Sequence, residues 1–249
     1  MTVTTSTHLK ASKDRKVANV VNKAGKQALI ANAFGLPAGD KFSCGGMTAV
    51  CESICYANKL EVLFPAVRTL LMHNWDLLKD ADYATTVTLL DEVICEFEAA
   101  SDKRGAVKVF RIHWDGDFFS ANYTSAWIEV IRRHPDIQFW VYTREAAFAV
   151  MIHKASLPNV SLYFSADSAN MPVARMLNKT YGIRLAMLAD TFAAGQAQMR
   201  EITGKVGAKC PENNKASNFA LINTDGSACV RCGLCIFGKA NIVFSASKS

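Results

Sequence analysis

Between Val107 and Thr203, short apolar runs alternate with amphipathic runs at a near-constant interval, and that beat restricts the fold more than any other feature of the chain. Val107 to Trp114, Ile137 to Thr143, Val160 to Ser165 and Ile183 to Leu188 read as strands. Ala121 to Arg133, Ala146 to Ala155, a run opening near Pro172 and one ending near Thr203 read as helices, the first stopped by His134-Pro135. Strand and helix in alternation imply βαβ units and a parallel sheet, because parallel neighbours need a long crossover between them. The strands are almost continuously apolar, as expected where both faces are covered. Upstream, Gln27 to Phe34 reads as a first strand, and Phe64 to Ala81 and Thr85 to Ala100 as helices, with Pro65 suited to a first turn. Downstream, Phe219 to Asn223 and Asn241 to Ser245 are candidate final strands.

The fold class expected is therefore α/β: a parallel (β/α)6-like partial TIM barrel with Cys-rich loops at its N- and C-terminal ends. About six units are visible, fewer than the eight of a closed barrel. Residues 1–25, rich in Thr, Ser and Lys, read as a flexible N-terminal arm with a short helix from Asp14 to Lys23. Residues 26–249 read as a single barrel-like domain with its late Cys cluster at 210–235. Half of the 249 residues are hydrophobic, which suits one large core.

The thiols carry the chemistry. Cys229-Val-Arg-Cys232-Gly-Leu-Cys235 places three thiols in seven residues, and Cys210-Pro211 supplies a remote fourth. Ferredoxins wrap a four-iron cluster with this C-x2-C-x2-C run and a distant Cys that is often followed by Pro. Structural zinc more often takes two separated C-x2-C knuckles. Gly233 eases the turn, and Arg231 and Lys239 are either charge-balancing neighbours of a cluster or an ordinary solvated face. Cys44, Cys51 and Cys55 form a second group, C-x6-C-x3-C, in which Gly45 and Gly46 either let backbone approach a bound cofactor or, as glycines alone would suggest, simply make a turn. These three would hold a cluster of their own, with one iron open or capped by His73, Asp115 or a late Cys, or the two groups would share one cluster. Zinc is the other metal open at either group. Cys95, among Leu89, Leu90, Val93 and Phe97, reads as a small core residue and is left out of the site.

Polar residues close each strand of the repeat. His113, Asp115 and Asp117 end the first, and Arg144 follows the second. Ligands sit at the C-terminal strand ends of parallel α/β folds. His113, Asp115, Asp117 and Arg144 are therefore the catalytic candidates, as proton-transfer groups and an anion clamp, although Asp115-Gly116 is also a plain turn. The chain has no Walker A loop, no G-x-G-x-x-G after a strand, no G-x-S-x-G and no H-E-x-x-H. A formal charge of +6 is scattered rather than clustered, which disfavours a nucleic-acid role. No apolar run reaches the ~18 residues of a membrane span, and the polar start lacks the apolar core of a secretory signal. The cytoplasm, with thiols reduced, is the expected compartment, and a small-molecule substrate or an electron-transfer protein the expected partner.

Leu36-Pro-Ala-Gly39, Cys51-Glu-Ser-Ile-Cys55-Tyr-Ala57, Arg111-Ile-His-Trp-Asp-Gly-Asp-Phe-Phe-Ser120 and Tyr142-Thr-Arg144 resemble the signatures of a numbered gene-product family of actinobacteriophages. The similarity runs from about residue 28 to 237 and implies a phage-encoded, Cys-rich protein, without an activity to carry over. A looser resemblance is to radical S-adenosylmethionine enzymes, which are partial (β/α)6 barrels with a three-Cys cluster loop after the first strand. Their loop is C-x3-C-x2-C. Cys51 and Cys55 fit it, Asn58 stands at the third position, and Cys44 would have to substitute from upstream. The function expected is that of an iron–sulfur protein with one or two [4Fe–4S] clusters in a redox or radical role, with S-adenosylmethionine following only if that substitution holds. The alternative is a metal-stapled module that binds a host or phage protein without catalysis.

Overall fold

The structure is a computed structural model, and it describes residues 7–14, 16–17, 19–21, 27–214, 217 and 228–247. A short antiparallel pair, β1 (Asn19–Val21) and β2 (Gln27–Leu29), opens the chain. Four helices follow: α1 (Ala49–Ile54), α2 (Tyr56–Leu63), α3 (Pro65–Leu78) and α4 (Tyr83–Arg104). The repeat then runs β3 (Val109–Ile112), α5 (Ala121–Arg133), β4 (Gln138–Thr143), α6 (Ala146–Lys154), β5 (Val160–Ala166), α7 (Met171–Tyr181), β6 (Arg184–Ala189) and α8 (Phe192–Thr203). β7 (Ala208–Lys209), α9 (Ala228–Cys232) and β8 (Ile242–Ser245) complete it.

One six-stranded sheet organises these elements, in the order β3-β4-β5-β6-β8-β7 with every pairing parallel. The sheet is open. The expected strand from Gln27 to Phe34 divides in two. Its first half is β2. Its second half runs beside β3, where Phe34 N donates to Arg111 O at 2.9 Å and Arg111 N to Asn32 O at 3.0 Å.

Local sequence accounts for the helices. Ser120 Oγ accepts from Tyr123 N to start α5, which buries Tyr123, Ala126, Trp127, Val130 and Ile131 on one stripe before the His134-Pro135 stop. Asp82 starts α4 in the same way, and Gly105 ends it at φ +61° in the left-handed region. Side chains alternate across the strands. Phe110, Ile112, Phe139, Val141, Leu162, Phe164, Leu185 and Met187 join the helices in the main core. Val109, Trp140, Tyr163, Ala186 and Ile242 face the other way, where residues of the 228–240 segment and Cys210 cover them. Side-chain bonds stitch that cover down: Ser161 Oγ donates to Ile236 O at 2.8 Å, and Tyr163 Oη donates to Ala240 O at 3.0 Å and Leu234 O at 3.3 Å.

Three expectations change. The described part of the Asp14 to Lys23 stretch holds a turn and β1 rather than a helix. The N-terminal residues are also docked: Leu9 and Val17 are buried, Ser12 and Ala33 exchange both backbone bonds at 2.7 and 3.1 Å, and Asp14 pairs with Arg111. Cys95 is exposed. α4 buries Leu90, Val93, Ile94, Phe97 and Ser101, and at 3.6 residues per turn position 95 falls outside that stripe. The strand expected at Phe219 to Asn223 lies outside the described residues.

Candidate metal centre

Cys210 follows β7, Cys229 and Cys232 lie on α9, and Cys235 sits in the turn beyond. Gly233 takes φ +68°, a conformation other residues resist, and this lets the chain leave α9 and bring Cys235 back to the sheet. The four late thiols gather. Cys210 acts on both Cys229 and Cys235, and Cys232 acts on Cys235. Burial pushes the Cys235 thiol up to about 12, against which the Tyr142 hydroxyl donates a hydrogen bond to its sulfur. Burial also raises Cys229 strongly, opposed by the cations Lys16 and Arg111.

Those cations are held in turn. Arg111 lies on β3 with its guanidinium buried, paired with Asp14, 3.3 Å from Tyr56 Oη and over the Tyr142 ring at 6.0 Å. Lys16 pairs with Glu212 at 3.0 Å and lies 5.7 Å over the Tyr56 ring. Arg231, by contrast, is exposed, and Lys239 rests over the Phe237 ring at 5.5 Å.

The early thiols stand on a different support. Thr48 Oγ1 accepts from Cys51 N at 3.1 Å to start α1, and donates to Asp167 Oδ2 at 2.6 Å. Asp167 is fully buried just past β5, where Arg144 Nη1 reaches the same oxygen at 2.6 Å. Arg144 also hydrogen-bonds the Cys51 sulfur and so moderates the rise that burial gives that thiol. Cys55 ends α1 and starts α2, its sulfur accepting from Asn58 N at 3.4 Å. Cys51 and Cys55 are close enough to act on one another, whereas Cys44 stands beside Asp117 and Asp115, and burial followed by Asp117 pushes it to about 12. A Cβ on Gly46 would lie 2.8 Å from Arg144 O, and one on Gly45 2.8 Å from Glu145 Oε1. The room these glycines leave is taken by the chain itself.

The four catalytic candidates divide. Asp117 and Arg144 join the early-thiol support: Asp117 Oδ2 accepts from Arg144 N at 2.7 Å, and Asp117 N donates to Ser43 Oγ at 3.1 Å. His113 adopts φ +59°, rare for a residue with a side chain, and turns into the main core. There its Nε2 meets Tyr123 Oη at 2.8 Å and its ring packs on Phe118. Burial, then the Arg111 cation, lowers its pKa to about 3. Asp115 is buried, and among the described residues neither of its carboxylate oxygens has a hydrogen-bond partner. Burial, then the Glu61 carboxylate, raises it to about 8, and burial raises Asp117 to about 7. His73 Nε2 is engaged with His8 O at 2.8 Å.

Both thiol groups flank the C-terminal end of β4: Tyr142 reaches Cys235 and Arg144, two residues on, reaches Cys51. Sequence reasoning missed Thr48, Asp14, Lys16 and Tyr56 as supports. Thr48 carried a readable signal, a capping residue three before Cys51, and so did Arg111, a charge inside an apolar strand that must find a partner if buried.

Fold and site together define an α/β protein on one open, all-parallel sheet, with two cysteine groups at one strand end. The chain belongs to the Gene product 88 family, whose model matches residues 7–238. It is 52% identical over 243 residues to the Gene 88 protein of Mycobacterium phage L5, covering 96% of this chain and 98% of that protein. It is 51% identical, with the same coverage, to the Gene 88 protein of Mycobacterium phage D29. These relatives support a bacteriophage origin. No solved structure matches the chain, and no helix among the described residues is long and apolar enough to cross a membrane.

Proposed function

We propose that this is an iron–sulfur protein of the phage-infected cytoplasm, its late thiols Cys210, Cys229, Cys232 and Cys235 holding a [4Fe–4S] cluster that serves a redox or radical-type reaction. The observation that carries this reading is the gathering of those four thiols beside Lys16 and Arg111. A thiolate-ligated cluster is anionic, and the buried Arg111 and the partly buried Lys16 offset its charge where an apolar pocket alone would not. The C-x2-C-x2-C run at Cys229, Cys232 and Cys235 with a remote Cys210-Pro211 matches a cluster-binding loop more closely than the two separated knuckles of structural zinc. When bound, the cluster would supply one-electron chemistry. The chain's part is to hold four thiolates, to donate the Tyr142 hydroxyl to Cys235 and to keep water away with the Trp140 and Ile236 layer.

The strand order, with α5 to α8 packed in one core on a single face, supports reading the sheet as an opened (β/α)6 barrel. Cys51 and Cys55, on the loop after Ile30–Phe34 and beside Arg144, are the working pair of a second centre in this reading, as the looser radical-enzyme resemblance implies. Cys44 is the weaker member, because burial opposes its ionisation and no cation stands beside it as Arg144 stands beside Cys51 among the described residues. A non-catalytic stapled module is favoured by one observation: Cys235 and Cys229 are packed into the layer that covers the sheet.

Iron and acid-labile sulfide analysis of oxygen-free protein decides the matter. About four irons and four sulfides per cluster are expected, with broad visible absorption. Stoichiometric zinc in a colourless protein overturns the reading and leaves the staple. Reductive cleavage of S-adenosylmethionine by the reduced protein tests the radical version.

A further inference from the structure

Away from the thiol groups, α4 and the turn after α5 bring together a different set of ligand-type side chains. Asp91, Cys95 and His134 each present one donor atom, and the three atoms all lie within 4.8 Å of one another. Asp91 and Cys95 are four residues apart on α4 and so share a helix face. His134 is delivered to them as the residue that ends α5. Its Nε2 lies 3.1 Å from Asp91 Oδ1 and its Nδ1 3.2 Å from Glu98 Oε2, and Glu98 is itself held by Lys108 Nζ at 2.8 Å.

This arrangement is incomplete for a neutral imidazole, which donates from only one nitrogen. With the hydrogen on Nδ1, directed at Glu98, Nε2 turns a lone pair toward the Asp91 oxygen. That contact becomes attractive only when a second proton or a cation lies between them. Metal-bound histidines have this form: the far nitrogen donates to a carboxylate, which fixes the ring and its tautomer.

We propose that Asp91, Cys95 and His134 bind a single zinc-type divalent cation, with Glu98 orienting the imidazole and the fourth position open to solvent beside the exposed Cys95. The oxygen, sulfur and nitrogen donors suit a borderline ion, whereas magnesium and calcium take oxygen shells. Metal–ligand bonds of about 2.0 to 2.3 Å draw such donors to within roughly 4 Å of one another, a small contraction from the present spacing. The bound ion ties α4 to the turn between α5 and β4. It does so before β4 begins, whereas both other thiol groups flank the end of that strand. The site therefore stands whether or not the iron proposal holds.

The test is site-resolved alkylation of the full-length protein under reducing conditions, with and without buffered Zn2+, read on the peptide that contains Cys95. Zinc taken up by other cysteines does not register there. Zinc is expected to slow Cys95 labelling by at least about tenfold, and Asp91→Asn and His134→Gln are expected to remove that protection. Circular dichroism and melting of both variants show whether they remain folded. If either does not, zinc competition against a chelator, comparing the wild type with Cys95→Ser at its exposed position, reads the same site as the loss of one zinc equivalent. Unchanged Cys95 labelling in the wild type overturns the proposal, as does protection that persists in both folded variants or an undiminished zinc count in Cys95→Ser.

Discussion

The late thiols are fixed by packing, with Cys229 and Cys235 set among Trp140, Tyr142, Tyr163 and Ile236 on the face of the sheet away from α5 to α8. The early thiols, a short way along the same strand end, are fixed by a hydrogen-bonded chain from Cys51 through Thr48 and Asp167 to Arg144. The two supports fail differently. Packing weakens by degrees, since each side chain contributes its own buried area. A buried ion pair with shared hydrogen bonds is closer to all-or-none, because removing one partner leaves the other charged and unpaired. One strand thus carries a tolerant group and a brittle one.

Asp167→Ala breaks that contrast hardest. It strands the Arg144 guanidinium and the Thr48 hydroxyl, and is expected to cost about 3–5 kcal/mol in denaturant unfolding. Alkylation of Cys51 should accelerate well before that of Cys235. Ile236→Ala tests the other side. This residue is fully buried in the late group's layer, and its loss should cost about 2–4 kcal/mol while the early thiols label at the wild-type rate. Equal labelling of both groups in either variant would show that they form one cooperative unit.

A pH series sharpens the comparison. Asp115 and Asp117 are raised from 3.8 to about 8 and 7, so the folded protein holds protons that the unfolded chain has released. Stability from these two is lost as pH rises through 7 and 8, and is full below 3.8. His113 is lowered from 6.5 to about 3, so it works the other way, and its neutral burial costs stability as pH falls below 6.5. Between about pH 7.5 and 6.5, below the range in which unfolded thiols release their protons, the two carboxylates dominate, and stability should increase on acidification by up to ~1.4 kcal/mol per pH unit for each group. Asp115→Asn combined with Asp117→Asn should flatten that slope in urea titrations. The smallest effect expected is from Thr48→Ala, about 1 kcal/mol, since it removes one helix-capping bond and one partner of Asp167.

What was legible in the sequence was whatever local periodicity encodes. α5 falls on the expected Ala121 to Arg133 because a capping Ser120, an apolar stripe and His134-Pro135 all act within one segment. The thiol spacing at Cys229, Cys232 and Cys235 was equally local. The layer they build was not, because nothing between positions 228 and 240 states which face of which strand it will cover. Lys16 and Arg111 come to Cys229 from far along the chain, and local pattern says nothing about such meetings. Cys95 shows a finer failure: it lies one residue beyond Ile94, and that single step of about 100° carries it from core to solvent.

The pairing of Ser12 with Ala33 has a consequence for how this molecule behaves in a crowded cell. It places a strip of chain along the outer margin of the stretch that extends the sheet past β3, where unpaired amides would otherwise recruit a strand from a neighbour. Proteolytic clipping a few residues beyond this point would unmask that margin, and the trimmed protein should then self-associate at concentrations where the intact chain stays dispersed.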